Sequence, residues 1–297
     1  IIDSSSWKWS VSGNIGVNRN EISDLGLLPA DFGCLGERVG YYGNSLGDHF
    51  GVGHIFLAGE APGLFYGYVT QGIVQKEDIT ENGIKYIKQD GSVGYYQTVN
   101  KTTPVAGDVK YVDRNGDGVV DDNDRDIIGN PNPDFTYGFQ TKVSWKSLSL
   151  SASFNGVQGR DILNVGNRYN NTPGTKSNNV TRKAFQNMWT DENPSNLYPK
   201  STFVVQNMVM DRYVEDGSYL RCSDITLSYV LPAKWTNEIG IKNTSVYASV
   251  KNAFVITDYS GYDPEVNSFA FDGLRPGVDM NSYPTPRSFV FGLNLTF

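Results

Sequence analysis

From Trp7 the odd positions carry Trp7, Trp9, Val11, Ile15 and Val17, while the even ones carry Lys8, Ser10, Ser12, Asn14 and Asn18. A two-residue period of this kind puts apolar and polar side chains on opposite faces of a strand. The same split recurs with Phe135, Tyr137, Phe139, Val143 and Trp145 against Thr136, Gln140, Lys142 and Ser144. Leu148, Leu150, Ala152 and Phe154 oppose a run of serines, and Trp145-Lys146-Ser147 reads as a tight turn between two strands. Alternation is less clean around Ile225, Leu227 and Tyr229, and clear again at Val246, Ala248, Val250, Phe254 and Ile256 and at Phe289, Phe291, Leu293, Leu295 and Phe297. The pattern predicts six strands, near 7–18, 135–145, 147–156, 217–231, 244–257 and 287–297.

Alternation alone fits a water-soluble β-sandwich as well as a membrane β-barrel. Three details favour the barrel. The non-apolar face is mostly Ser, Thr, Asn, Gln and Gly, which suits a wet lumen better than a charged outer surface. Aromatics sit at strand ends (Trp7, Trp9, Phe135, Trp145, Phe297), as in interfacial girdles. The last strand ends on an aromatic, like the terminal signal of outer-membrane proteins. Connections then set an orientation, since such barrels pair short periplasmic turns with long external loops. The turn at 145–147 and the segment 231–243, with one helical turn expected after Pro232, are short; 19–134, 156–216 and 258–286 are long. A periplasmic C-terminus therefore places all three long connections outside the cell. Arg221 and Arg287, on the apolar parity, are expected at outer strand ends within reach of water or headgroups.

Composition agrees with strands and turns. The chain has 297 residues, 32 Gly and 18 Tyr with 19% charged residues, and no apolar run long enough for a membrane-spanning helix. Mean hydropathy is −0.38. Half the strand residues of a barrel face water, so this value is compatible with crossing a membrane. A net charge of −7 without a basic run argues against a nucleic-acid partner. Two cysteines, Cys34 and Cys222, allow at most one bridge and no disulfide framework. The chain begins Ile-Ile-Asp-Ser without Met or a leader pattern, so either a leader was removed or it starts within a longer protein.

Candidate chemistry is concentrated in one loop. Asp113, Asn115, Asp117, Asp121 and Asp124, with Gly118 at the bend and the Val119 carbonyl, occupy the oxygen-ligand positions of a calcium loop. Asp124 stands where an EF-hand has a bidentate Glu, and no helical pattern flanks the loop, so it is closer to the loops of extracellular modules. A bound Ca2+ there would be structural, pinning a long connection. The alternative is an Asp/Asn-rich turn that binds nothing. No nucleophile elbow, phosphate loop, zinc-ligand cluster or dinucleotide fingerprint is present. Asp121/Asp122 and Asp191/Glu192 are sequence neighbours, which is no basis for a glycosidase pair, and the chain is read as a non-enzyme. His49 and His54 straddle a Gly-rich stretch and read as solvated or hydrogen-bonding residues. Lys8, Asn14, Gln140, Lys142, Asp224 and Lys251 fall on the lumen parity, and no substrate-binding residue is assigned.

The order of segments is that of a known family. Gly59-Glu-Ala-Pro62-Gly63-Leu-Phe65-Tyr66-Gly67-Tyr68, Gly107-Asp108 through Asp124 to Pro133-Asp-Phe135, Asp216-Gly217-Ser-Tyr-Leu-Arg221, Asn252-Ala-Phe254, Tyr262-Asp263-Pro264-Glu265 and Tyr283-Pro-Thr-Pro286-Arg287 to Phe297 resemble, in sequence order, SusC/RagA-family TonB-dependent outer-membrane transporters. The resemblance runs from about 59 to the end; residues 1–58 match mainly as a strand and a variable loop. It implies an all-β fold in which residues 1–297 are the C-terminal strands of a large antiparallel transmembrane barrel of about 22 strands, the plug being absent from this chain. It further implies residence in the outer membrane, energy from the TonB complex, a SusD-like surface lipoprotein as partner, and an oligosaccharide or peptide as cargo. The competing reading is a soluble, extracellular, calcium-stabilised β-module that binds glycans.

Overall fold

The computed structural model describes residues 2–3, 6–26, 34–35, 38–47, 51–172, 179–201, 208–236, 241 and 243–296. Six long strands form an antiparallel sheet in chain order: β1 (Trp7–Gly16), β2 (Phe135–Trp145), β3 (Leu148–Gln158), β4 (Tyr219–Val230), β5 (Asn243–Thr257) and β6 (Ser288–Thr296). Ile2–Asp3 pairs outside β1. The sheet is a plain meander that does not close on itself. Lys146 and Ser147 turn β2 into β3, with Lys146 at φ 53, a left-handed conformation that two-residue hairpins require. After Pro232 a single helical turn, Ala233–Thr236, leads into β5. Both short connections lie at one rim, where Trp7 and Trp145 approach to 6.0 Å between ring centroids.

The apolar face of this sheet is bare. Val11, Ile15, Leu150, Leu227, Val246, Ile256 and Phe291 are all exposed, from 40% for Val246 to 79% for Phe291. In water such a face is a large unfavourable surface; in hydrocarbon it is the surface required. The opposite face brings Lys8, Asn14, Gln140, Lys142, Asp224 and Lys251 to one side, as the register pairs Gln140 with Ser12 and Ser153, and Asp224 with Ser153 and Lys251. There the Asp224 carboxylate accepts from Thr226 and Ser249 hydroxyls at 2.7 Å each.

The buried core lies elsewhere, in the long connections. The segment after β1 holds a five-stranded sheet ordered Arg125–Gly129, Leu64–Tyr68, His54–Leu57, Arg38–Tyr42, Cys34–Leu35. Next to it are the hairpin Gly83–Ile87 with Val93–Tyr96 and the pair Thr70–Ile73 with Val109–Tyr111. Leu64–Tyr68 is buried at every position. Gly67 is required there, because a Cβ would lie 2.4 Å from the Val209 carbonyl oxygen. The Arg125 guanidinium lies 4.3 Å above the Tyr66 ring and donates to the Tyr66 carbonyl at 3.0 Å. The three connections interlock. Tyr68 bridges Met210, Leu163 pairs in parallel with Val278, and Arg275 donates to the Ser45 carbonyl at 2.9 Å. These segments are therefore a folded unit with its own core and not extended loops.

The structure moves Arg221 to the other face. Register shifts occur between Ser153 and Phe154 on β3 and between Cys222 and Asp224 on β4, so Ser223 is an extra residue. A bulge inverts the parity beyond it. Cys222 consequently pairs with Phe154, while Arg221 pairs with Asn155 on the polar face. Arg221 is 5% exposed. Its guanidinium lies 2.5 Å from Asp263 and 3.2 Å from Glu265, so water and headgroups do not reach it. Asn155 and Tyr219 donate to the same Glu265 at 3.0 and 2.6 Å. The start of the third connection is thereby held against the polar side of the wall. Arg287, by contrast, is exposed.

Removing one partner of a buried ion pair typically costs about 3 kcal/mol, because the other charge is left without compensation. Arg221→Met in the full-length protein is expected to destabilise by that order and to open 258–286 to proteolysis, with Arg221→Lys intermediate. Thermal unfolding and limited digestion check this; an Arg221→Met protein as protected as the parent contradicts it.

Candidate functional site

Two places in the folded unit gather polar side chains. The first is the loop 113–124. Asp113 Oδ1 accepts from the Gly116 amide at 2.6 Å and Oδ2 from the Gly118 amide at 2.9 Å. Asn115 and Asp117 accept from the Asp117 and Val119 amides, at 2.9 and 2.8 Å. Asp121 accepts from Asn123, and Asp124 closes the loop on the Arg114 and Asp121 amides at 2.7 and 2.8 Å. Gly116 and Gly118 take φ of 75 and 85, which only glycine adopts without strain. Burial pushes the Asp124 carboxyl above the ordinary carboxylate range, against the pull of three backbone amides. The loop thus brings all the sequence-selected oxygens into one turn and shapes them with its own amides. Among the described residues no three His, Cys, Asp or Glu converge as a metal-holding group. Ionised carboxylates keep further lone pairs beyond these bonds.

The second place is a cleft of about 510 Å3 between the second and third connections, where Asn164, Asn167, Glu215 and Ser260 meet. The Glu215 carboxylate is its anchor. Oε1 accepts from Asn164 Nδ2, Asn167 Nδ2 and Ser260 Oγ at 2.9, 3.0 and 2.9 Å, and Oε2 accepts from the Ser260 amide at 2.9 Å. Asn164 also accepts from the Asn167 amide at 2.9 Å, capping the short helix Val165–Asn171. On the far wall Tyr259 donates to Asp279 at 2.7 Å. Asn170 Nδ2 reaches Asn281 Oδ1 at 3.3 Å across the cleft, and Tyr262 stands on its rim, 72% exposed.

No family model matches the chain. It is 30% identical over 100% of its length to TonB-dependent receptor P3 of Formosa agariphila, and 29% identical over 98% to receptor P26 of that organism, covering 27% of each. It is 34% identical over 63% of its length to TonB-dependent receptor SusC of Bacteroides thetaiotaomicron, covering 17% of it. All of the chain superposes on 27% of a chain in the RagAB peptide importer in its "open-open" state, with TM-score 0.65 and 25% identity. In the "closed-closed" state the values are 28%, 0.67 and 25%. The chain belongs to the SusC/RagA family of TonB-dependent receptors.

The chain spans about a quarter of the length of the first relatives, 27% in each case. The two-faced sheet is accordingly a portion of a transmembrane β-barrel wall whose six long strands do not close on themselves. Within this SusC/RagA-type segment, sequence reasoning located the 113–124 loop but missed the cleft. Its walls, near 164 and near 281, are separated by more than a hundred residues, and no local spacing joins them. One signal was readable: Asn164, Asn167, Asn170 and Asn171 recur at helical spacing, which is an unusual face for a short helix.

The remaining candidates have structural roles or lie outside the described residues. Cys222 is a buried free thiol, and the Cys34 side chain is outside the described residues. His49 is likewise outside them. His54 is fully buried, with Nε2 2.9 Å from the Pro276 carbonyl and its ring edge against Phe65. Burial lowers its pKa from 6.5 to about 4, the Pro276 bond pulling the other way.

A folded-state pKa below the unfolded one means that the unfolded chain binds more protons between the two values. The contribution of His54 is therefore complete above pH 6.5 and is lost as pH falls from 6.5 through about 4. The full loss is about 3 kcal/mol. Hydrogen exchange of residues 38–73 in the full-length receptor should accelerate at pH 4.5 relative to pH 7, and His54→Gln should flatten that dependence. Equal pH dependence in both proteins refutes the assignment.

Proposed function

We propose that this chain supplies part of the wall, the lumen face and the external folded unit of an active outer-membrane importer, driven through TonB and covered by a SusD-like surface lipoprotein. The observation that carries this is the two-faced sheet, apolar and uncovered on one side and lined by hydroxyl and amide groups on the other. It supports lipid contact outside and a wet lumen inside. A soluble glycan-binding module would leave the apolar face of six strands in water. The cargo is an oligosaccharide or a peptide. The short-turn rim then faces the periplasm, and the folded unit faces outward, where the Asn/Glu cleft meets cargo before it passes the lumen.

Binding and transport, rather than bond-making, is the role this geometry supports. The cleft is lined by carboxamides, hydroxyls, Lys183 and the carboxylates of Glu215 and Asp279, and the Glu215 carboxylate is already bound to Asn164, Asn167 and Ser260. Deleting the receptor gene should abolish growth on one oligosaccharide or peptide source, dissipating the proton-motive force should stop uptake of it, and a surface lipoprotein should co-purify with the receptor. Unimpaired growth of the deletion strain on all such sources would sink the reading.

Placement of the sheet in lipid makes a separate prediction. Val11 sits mid-strand on the apolar face of β1 and is 55% exposed. Val11→Arg is expected to cost about 2–4 kcal/mol of barrel stability, while a charge on the lumen side is tolerated. Heat-modifiability of the receptor on gels should therefore drop in temperature for Val11→Arg and stay unchanged for Ser12→Arg.

Loop 113–124 is proposed to bind Ca2+ in a structural role through Asp113, Asn115, Asp117, Asp121, Asp124 and the Val119 carbonyl. Ligand spacing and the amide-shaped turn support this. Ordering such a loop costs backbone entropy that an ion offsets. Digestion of the full-length receptor with and without a chelator tests it. Protection of 107–130 should fall with chelator and in Asp117→Asn, and equal protection throughout removes the ion from the account.

A further inference from the structure

We infer that the short-turn rim of the wall carries a binding site for the headgroup of an acidic phospholipid, a step that rests on the proposed periplasmic placement of that rim. Three features carry it. The first is the position of the tryptophans. Of the five in the chain, Trp7, Trp9, Trp145 and Trp235 lie at or beside this rim, 45% to 64% exposed, and the fifth, Trp189, is buried in the folded unit. The register pairs Trp7 with Trp145 and Trp9 with Val143, all on the apolar face. Indole rings held at one level of a lipid-facing wall mark where hydrocarbon gives way to headgroups.

The second feature is charge. The two short connections carry Lys146, Lys234 and Lys242 against one acidic side chain, Glu238, in a chain whose net charge is −7. At the same end Asp3 is set opposite Lys8 by the register and offsets it. Lys146 and Lys234 are exposed, and among the described residues no carboxylate lies within ion-pair reach of either. The Lys146 ammonium lies 5.2 Å over the Trp145 ring, which brings it to the lipid side of the rim.

The third feature is how the two lysines are placed. The Val230 amide donates to the Ser147 carbonyl at 2.9 Å, so the helical turn Ala233–Thr236, with Lys234 and Trp235, begins beside the hairpin turn. The Lys146 amide is held by the Ser6 carbonyl at 3.0 Å, and its φ of 53 is one that glycine fills without strain. A lysine at this position is explained by its side chain and not by the turn. Next to the rim, Leu148, Leu227, Tyr229 and Val246 expose apolar surface on the wall. A phosphate between the two ammonium groups, with acyl chains along these side chains, meets all three features. A zwitterionic headgroup brings its own positive charge against the lysines, so the site selects acidic lipid.

The test uses the full-length receptor, stripped of lipid in a nonionic detergent and titrated with phosphatidylglycerol, phosphatidylethanolamine or lipid A, with bound lipid read by native mass spectrometry. Phosphatidylglycerol should bind ahead of phosphatidylethanolamine. Lys146→Gln and Lys234→Gln should each weaken it about fivefold, the increment of one lysine near an acidic surface, and Lys146→Arg should keep it. Both lysines are exposed, so the unfolding temperature in detergent should stay that of the parent. No preference for phosphatidylglycerol, or a preference unchanged in the double variant, overturns the site. The orientation fails separately. In a Cys34→Ser background, Ser147→Cys should react with a maleimide too large to cross the outer membrane only once the periplasm is opened. Reaction in intact cells, with lipid A bound ahead of phosphatidylglycerol, would sink the orientation and the phospholipid site together. Reaction from the periplasm alone, without phospholipid preference, would sink the site and keep the orientation.

Discussion

Hydrocarbon offers a strand no hydrogen-bond partner, so every amide and carbonyl at membrane depth must be paired within the sheet. That constraint shapes the whole chain. It demands long, regular, antiparallel strands joined by tight connections at one rim, and β1 to β6 comply, pairing continuously from Trp7–Trp145 to Asn243–Thr296. It also denies the sheet a core of its own. The apolar side chains that would fill a core in a soluble protein face lipid instead, and the wall is held by its ladders and by its neighbours in the barrel. Packing is displaced into the connections, where Phe65, Tyr66, Tyr86, Tyr96 and Tyr111 are each at most 1% exposed.

Among the described residues of β1 to β6, the departures from regularity mark where the two regimes meet. At Ser223 on β4, and at Asn252 on β5 with φ 51, the strands carry extra residues. A bulge in mid-membrane would leave a backbone group unpaired; near the rim it exchanges one ladder bond for a change of parity. The exchange puts Arg221 inside, where Asp263 and Glu265 need it. Without the extra residue, the same arginine would project toward lipid at the headgroup level. The buried ion pair therefore does more than stabilise: it fixes which side of the wall the third connection descends on.

How much of this was legible in sequence follows from the same division. Period-two alternation reports a strand with unlike environments on its two faces, and the wall strands have lipid on one and water on the other. Their existence, order and short turns could accordingly be read from residues such as Ser147–Phe154. Strands inside the folded unit have protein on both faces. His54–Leu57 and Leu64–Tyr68 are buried at every position, so their pattern carries no alternation and they read as loop. The parity of Arg221 was misread because a bulge is set by φ/ψ at one or two residues, and neither Ser223 nor Cys222 announces it. The cleft was invisible for a third reason: it is made by the parallel pairing of Leu163–Asn164 with Val278–Asp279, a contact between distant segments.

A wall fixed by lipid and a unit fixed by its own core meet at a few named joints. The third connection is tied to the wall through Asp263 and Glu265, to the first connection through Pro276 on His54 and Arg275 on Ser45, and to the second through Val278 on Leu163. The stretch from Asp263 to Val278 is therefore held at both ends, by the wall through Arg221 and by the second connection through Leu163. Neither hold draws on the lipid-facing side chains, so the placement of this connection and the membrane fit of the wall rest on different residues.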